Sequence, residues 1–270
     1  MRAVILVGGR GVRLRPYTAS IPKPLVPIGG ELPILEILLR QLRRHGVTEV
    51  TLALGYLGHL IRSYVGDGSA WDMSVDYWEE EVPLGTIGPL LEHLAELPED
   101  VLVLNGDLLC DIDFGELIRF HGRHGSVLTV ASHRRIHSID FGVLDTDGPL
   151  LRGFREKPDL EYLVNMGIYV IARSTLERFE PGRPLGFDEL VLDLLGDGHS
   201  PNVFKFEGLW LDIGRPEDYD RVNLEFVANR SALLGDADQP LAPVVELQPA
   251  VLVAIPDRVT AISCTREARK

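Results

Sequence analysis

Residues 3–7 form an unbroken apolar run that ends in glycines, the pattern of a strand buried on both faces of a parallel sheet. Between 33 and 46, Ile34, Leu35, Leu38, Leu39 and Leu42 recur at helical spacing, with Pro33 suited to the first turn and Gly46 to the C-cap. Residues 50–54 read as the next strand, 57–65 as a helix, and 73–78 alternate like a strand. A helix near 86–96 leads into the buried strand 101–107, which ends at Asp107. This alternation predicts an α/β fold: three layers around a mostly parallel, mixed sheet with right-handed crossovers.

The second half is more mixed. Residues 126–132, 141–145, 165–172 and 202–208 read as strands, and 187–198 and 216–230 as helices. The last helix starts well, with Pro216 in its first turn and Glu217 and Asp218 at the positive end of its dipole. Beyond Arg230 the periodicity fades among Pro240, Pro243, Pro249 and Pro256. The expected organisation is therefore one domain over 1–230 and a Pro/Ala/Val-rich extension over 231–270 with no assignable structure.

The chain has 270 residues, of which 45% are hydrophobic and 25% charged, as in ordinary globular proteins. Its 40 Asp and Glu outnumber 27 Lys and Arg, giving a net charge of -13. A general nucleic-acid or anionic-membrane binder needs a broad basic surface, so neither partner is expected. Cys110 and Cys264 lack metal-type spacing and suit a reducing compartment, with a disulfide between them left open. No signal peptide is evident and no apolar run approaches the ~20 residues that cross a bilayer, so the expected location is cytoplasmic.

Against that acidic background, residues 6–25 (LVGGRGVRLRPYTASIPKPL) hold three glycines, four cations and no carboxylate; the first acid is Glu31. A glycine-rich turn after the first strand of such a sheet commonly closes its N–H groups around phosphate oxygens. The dinucleotide fingerprint fails because position 14 is Leu14, and no Gly-Lys-Ser/Thr of a P-loop follows. Arg13 and Lys23 add fixed positive charge suited to a triphosphate and a departing pyrophosphate; the plain alternative is a solvated basic face. Asp107 and Asp212, each at a strand end, can share Mg²⁺, an ion that takes few protein oxygens plus substrate phosphates; turn capping is the alternative for each.

The order Gly8-Gly9-x-Gly11-x-Arg13-Leu14-x-Pro16, then Pro22-Lys23-Pro24-Leu25, resembles the sugar-1-phosphate nucleotidylyltransferases. Further landmarks recur in family order at 84–88 (LGTIG), 105–107 (NGD), 141–143 (FGV), 156–158 (EKP), 165–169 (NMGIY) and 210–214 (WLDIG). The likeness covers about residues 1–228, and Val12 replaces the family threonine. It implies a Rossmann-like nucleotidyltransferase fold and transfer of a nucleoside monophosphate from an NTP to a sugar 1-phosphate, releasing pyrophosphate. By the same resemblance, Arg13, Lys23 and Asp107 are catalytic, and Val7, Gly8, Gly9, Gly11, Val12, Arg13, Lys23, Gly85, Thr86 and Gly88 bind the nucleotide. Asn105, Gly142, Glu156, Lys157 and Asn165 take the sugar phosphate, and Asp107 and Asp212 take Mg²⁺. Gly85 and Gly88 fit a base pocket that side chains would fill.

The form of these motifs looks most similar to the branch that makes GDP-mannose or GDP-heptose, which favours GTP; uridylyl, thymidylyl and cytidylyl enzymes share the scaffold. A glycosyltransferase using Asp111-Ile112-Asp113, or a non-catalytic nucleotide-sugar-binding subunit, are the other readings. Asp113 more plausibly caps the helix after it, the histidines lack ligand spacing, and Arg40, Arg43 and Arg44 read as a solvated helix face. The expected partners are an NTP and a sugar 1-phosphate, and the chain is open to pairing as a homodimer.

Overall fold

The computed structural model describes residues 1–80 and 82–235. Its central sheet has seven strands: β1 (Arg2–Val7), β2 (Glu49–Leu54), β3 (Ser74–Glu79), β4 (Asp100–Asn105), β5 (Leu128–Ser138), β6 (Asp159–Ala172) and β7 (Asn202–Phe206). Their order is β7-β5-β6-β4-β1-β2-β3. Only β6 runs antiparallel to its neighbours, β4 and β5; every other pairing is parallel.

Both faces of this sheet are covered, which is why β1 reads as continuous apolar sequence. Ala3, Ile5 and Val7 enter one core with Leu35, Leu38, Leu39 and Leu42 of the helix Ile34–Arg44, while Val4 enters the opposite core with Ile87, Leu90 and Leu190. Each fully buried leucine stabilises the fold by about 1.5–3 kcal/mol. Cys110 also lies in the first core, where burial pushes its thiol up to about 12.

A third core lies beneath the glycine-rich segment. Leu14, Val26, Ile28 and Ile34 meet Val222 and Phe226 of the helix Pro216–Ala228, together with Leu233 and Leu234 of the helix Arg230–Leu234. The first turns of the expected extension therefore pack into the domain, and the remainder of it, with Cys264, lies outside the described residues.

The sequence marked only the buried ends of β5 and β6. Both continue into solvent, paired from Asp159↔Ser138 to Asn165↔Ser132, and their outer halves carry mixed polar and apolar residues without a core face. Between them stands a hairpin of Val143–Asp147 and Leu150–Arg155. The expected helix near 86–96 is shorter: Gly88–Glu92 is helical, His93 leaves the helix, and Leu94–Glu96 makes a separate turn.

Candidate active site

The segment after β1 turns sharply at Gly11, whose φ of 56° favours glycine. The buried Thr18 hydroxyl donates to the Gly11 carbonyl at 2.7 Å, and a Cβ at Gly11 would stand 3.1 Å from Thr18 Cγ2. Leu14, at the position that breaks the dinucleotide fingerprint, anchors the following turn in the third core. Val12 points out at 56% exposure, so the hydroxyl it lacks would have faced the cleft mouth rather than the interior.

Lys23 opens a short turn and is only 8% exposed. Its Nζ lies 2.6 Å from Asp107 Oδ2, just beyond the C-terminal end of β4. Gly106 closes the approach: its N–H donates to Leu6 O at 2.9 Å. Here opens a cleft of roughly 800 Å³, at the strand ends where open α/β sheets bind ligands. Val7, Gly8, Gly9, Gly11, Val12, Arg13, Lys23, Gly85, Thr86, Asn105 and Asp107 all line it, as the sequence expected.

Gly88 does not line the cleft. It is buried at the start of the helix Gly88–Glu92, where a Cβ would meet Leu84 Cβ at 2.6 Å. Gly85 does line it, at φ 81°, yet its added Cβ would strike Leu185 O at 2.7 Å. Packing and backbone conformation, not a ligand's base, thus account for both glycines.

The sugar-side residues form a separate group on the outer arm. Gly142 lies against the Phe154 ring, and a Cβ there would approach Glu156 Oε2 to 3.2 Å. Lys157 takes φ 42° directly before Pro158, an uncommon conformation for a side-chain-bearing residue. Asn165 donates to Tyr169 Oη at 2.8 Å and accepts from Gly167 N–H at 2.8 Å. A side chain at Gly167 would overlap the Asn105 amide, so Asn165 adjoins the cleft through that contact.

Asp212 reaches the rim by another route. The antiparallel pairing Leu211↔Leu109 carries Asp107 and Asp212 out of the same end of a two-stranded ribbon. A Cβ on the cleft-lining Gly214 would stand 3.5 Å from Asp212 Oδ2. Two carboxylates suit a hard divalent ion that fills its remaining positions with water and phosphate oxygens. Among the described residues no group of three or more histidines, cysteines and carboxylates forms a closed metal cage.

The rejected Asp111–Asp113 run is occupied structurally. Asp113 accepts the Glu116 N–H at 2.8 Å as a helix cap, and Asp111 accepts Leu209 N–H at 2.7 Å. Arg40 corrects the solvated-face expectation: it is buried at 8% exposure and grips Glu36 through Nε at 3.0 Å and an Nη at 2.7 Å, while the Tyr64 hydroxyl also donates to Glu36. Arg43 and Arg44 remain exposed.

Sequence reasoning missed Gly55, Tyr56 and Glu80 in the cleft wall. Gly55 packs against Gly8 so closely that a Cβ would stand 2.7 Å from Gly8 Cα. Glu80 follows β3 and accepts the Leu84 N–H at 3.0 Å. Burial raises its carboxyl above the usual range, and the Leu84 N–H partly offsets that. No helix among the described residues is long and apolar enough to cross a membrane.

A profile of the nucleotidyl transferase family matches residues 2–229. Mannose-1-phosphate guanyltransferase beta-A of Xenopus laevis is 34% identical over 227 residues, 81% of this chain and 62% of that protein. The mannose-1-phosphate guanyltransferase of Schizosaccharomyces pombe is 34% identical over 229 residues with the same coverage. The chain thus spans under two thirds of the length of these curated relatives. The crystal structure of HddC from Yersinia pseudotuberculosis aligns at a TM-score of 0.66 and 29% identity, covering 83% of this chain and 99% of that one. A second HddC structure, complexed with GMP-PN, aligns at 0.64 and 28% identity with the same coverage. The glycine-rich turn, the Lys23–Asp107 pair and the profile match over the whole described domain agree: the chain belongs to the nucleotidyl transferase family.

Proposed function

We propose that this protein transfers a guanylyl group from GTP to a mannose- or heptose-like sugar 1-phosphate, giving a GDP-sugar and pyrophosphate. The observation that carries the reading is the Lys23–Asp107 pair, set at the mouth of the glycine-rich turn within a cleft that also holds Arg10 and Arg13. The names of the relatives support guanine and mannose, and the HddC complex with GMP-PN supports a guanine nucleotide in a cleft of this fold.

The sugar phosphate is already anionic at neutral pH and attacks the α-phosphorus in line, so no general base is needed. The chain's work is positioning and charge neutralisation. The glycine turn gives its N–H groups to phosphate oxygens, while Arg13 and Lys23 face the charge that grows on pyrophosphate. Lys157 receives the sugar's phosphate and Glu156 a sugar hydroxyl, with Gly142 leaving room beside them and Asn105 and Asn165 bordering the sugar side. Asp107 and Asp212 would hold Mg²⁺, which when bound supplies further neutralisation of phosphate charge. The positive φ of Lys157 supports a functional role, since strained backbone persists mainly where the surroundings demand it.

The test is pyrophosphate release from GTP, ATP, UTP, dTTP and CTP, each against a panel of sugar 1-phosphates. The reading expects the highest kcat/KM for GTP with a mannose- or heptose-type 1-phosphate. Release with no pair would refute the activity, and a higher value for another nucleotide would refute the base.

A further inference from the structure

We infer that Glu80 selects the base, its carboxylate accepting the N1–H and the exocyclic N2–H of guanine; this rests on reading the cleft as a nucleoside triphosphate site. Two carboxylates line that cleft, and they stand in different circumstances. Asp107 is joined to Lys23, whereas among the described residues no ion pair includes Glu80.

The strand order explains where Glu80 stands. Asp107 follows β4 and Glu80 follows β3, with β1 and β2 between them. Three inter-strand spacings separate the two ends, roughly 14 Å, which suits a nucleoside whose phosphates lie at one end and whose base edge lies at the other. Backbone bonds fix the far end: Glu80 N–H donates to Leu54 O at 3.1 Å, and Tyr56 N–H to Gly8 O at 3.2 Å. The glycines keep the carboxylate open, because a Cβ at Gly8 would sit 3.4 Å from Glu80 Oε1. Oε2 is held by the Leu84 N–H, just before the cleft-lining Gly85 and Thr86.

A carboxylate can accept about four hydrogen bonds, and the protein supplies Glu80 with one. Burial disfavours its charge, so a ligand bringing N–H donors without a competing lone pair is the matching partner. Of the five common bases, only guanine presents two adjacent N–H donors on its Watson–Crick edge. Adenine and cytosine set a ring-nitrogen acceptor beside an amine, and uracil and thymine flank one N–H with two carbonyls. Each of those edges turns a lone pair toward the carboxylate.

Calorimetric binding to the full chain without sugar phosphate tests this with GTP, ATP, UTP and inosine triphosphate, which differs from GTP only by lacking the 2-amino group. The wild type should bind GTP roughly 10- to 150-fold more tightly than inosine triphosphate, the loss of one charge-assisted bond. Glu80→Gln keeps an oxygen for Leu84 N–H and should bring the two Kd values to within a few-fold, with an unchanged circular-dichroism melt showing that it folds. Equal wild-type affinity for GTP and inosine triphosphate needs no variant and would overturn the inference, as would a full preference retained by Glu80→Gln. Tighter binding and turnover of UTP or ATP would overturn the role of Glu80 while leaving a nucleotidyl transferase cleft. Absence of binding by every nucleotide would overturn the triphosphate reading and this inference with it.

Discussion

Lys23 and Asp107 meet at 2.6 Å across 84 positions of sequence, tying the glycine-rich segment to the end of β4. Lys23 is nearly buried while Asp107 keeps over a third of its side chain exposed, so the carboxylate presents an open edge to the cleft. The pair holds the cation ready at the place where phosphates would bind. Ordering a long lysine side chain before a ligand arrives lowers the entropy lost on binding.

Thr18→Val should destabilise the protein by about 1–3 kcal/mol, because it leaves the Gly11 carbonyl without its buried donor. A urea melt with unchanged m-value and a lower midpoint is the expected reading. NTP affinity should fall as well, since the Gly11 turn loses its strut. An unchanged midpoint would place no weight on that hydrogen bond.

Much of this architecture is legible in sequence, for physical reasons that also mark where legibility stops. Ala3, Val4, Ile5 and Val7 announce a doubly covered strand, and Asp113 announces the helix it caps. The outer halves of β5 and β6 have no such signal, because Arg134, Arg135 and Glu161 answer to solvent and to each other rather than to a core. The ribbon joining Leu109–Cys110 to Trp210–Leu211 is two residues long, too short for any period, though it brings Asp212 to the rim. Arg40 misled because a charged residue beside Arg43 and Arg44 looks solvated until Glu36, one helical turn away, is seen to share its burial. Glu80 hid within the acidic run 79–81, where nothing distinguishes a cleft carboxylate from a solvated one.

The two ends of the cleft should separate on mutation. Arg13→Ala should weaken GTP binding, measured by calorimetry without sugar, by roughly 10- to 150-fold, the value of one charge-assisted contact. Lys157→Ala should leave that affinity nearly unchanged and raise the KM for sugar 1-phosphate by a similar factor, because Lys157 follows the outer hairpin rather than the glycine turn. Equal loss of GTP binding in both variants would contradict a two-ended site.

Glu80 gives a pH signature. Its carboxyl is raised by burial, so the folded state binds its proton more tightly than the unfolded chain does. Stability without nucleotide should therefore fall as pH rises from the ordinary carboxylate range through the raised value, and Glu80→Gln should lose that part of the slope. Parallel pH–stability curves for the wild type and Glu80→Gln would contradict the burial assigned to Glu80.

The most direct test of the cleft as the reaction centre is pyrophosphate release by Asp107→Asn and Asp212→Asn at saturating GTP, sugar 1-phosphate and Mg²⁺. Both substitutions preserve side-chain volume, and neither carboxylate belongs to a hydrophobic core, so wild-type circular dichroism is expected. Removing charge aimed at the reacting phosphates should lower kcat by about 10²-fold or more in each, and EDTA should silence the wild type. A folded Asp107→Asn or Asp212→Asn protein that turns over at near wild-type rate would contradict the account.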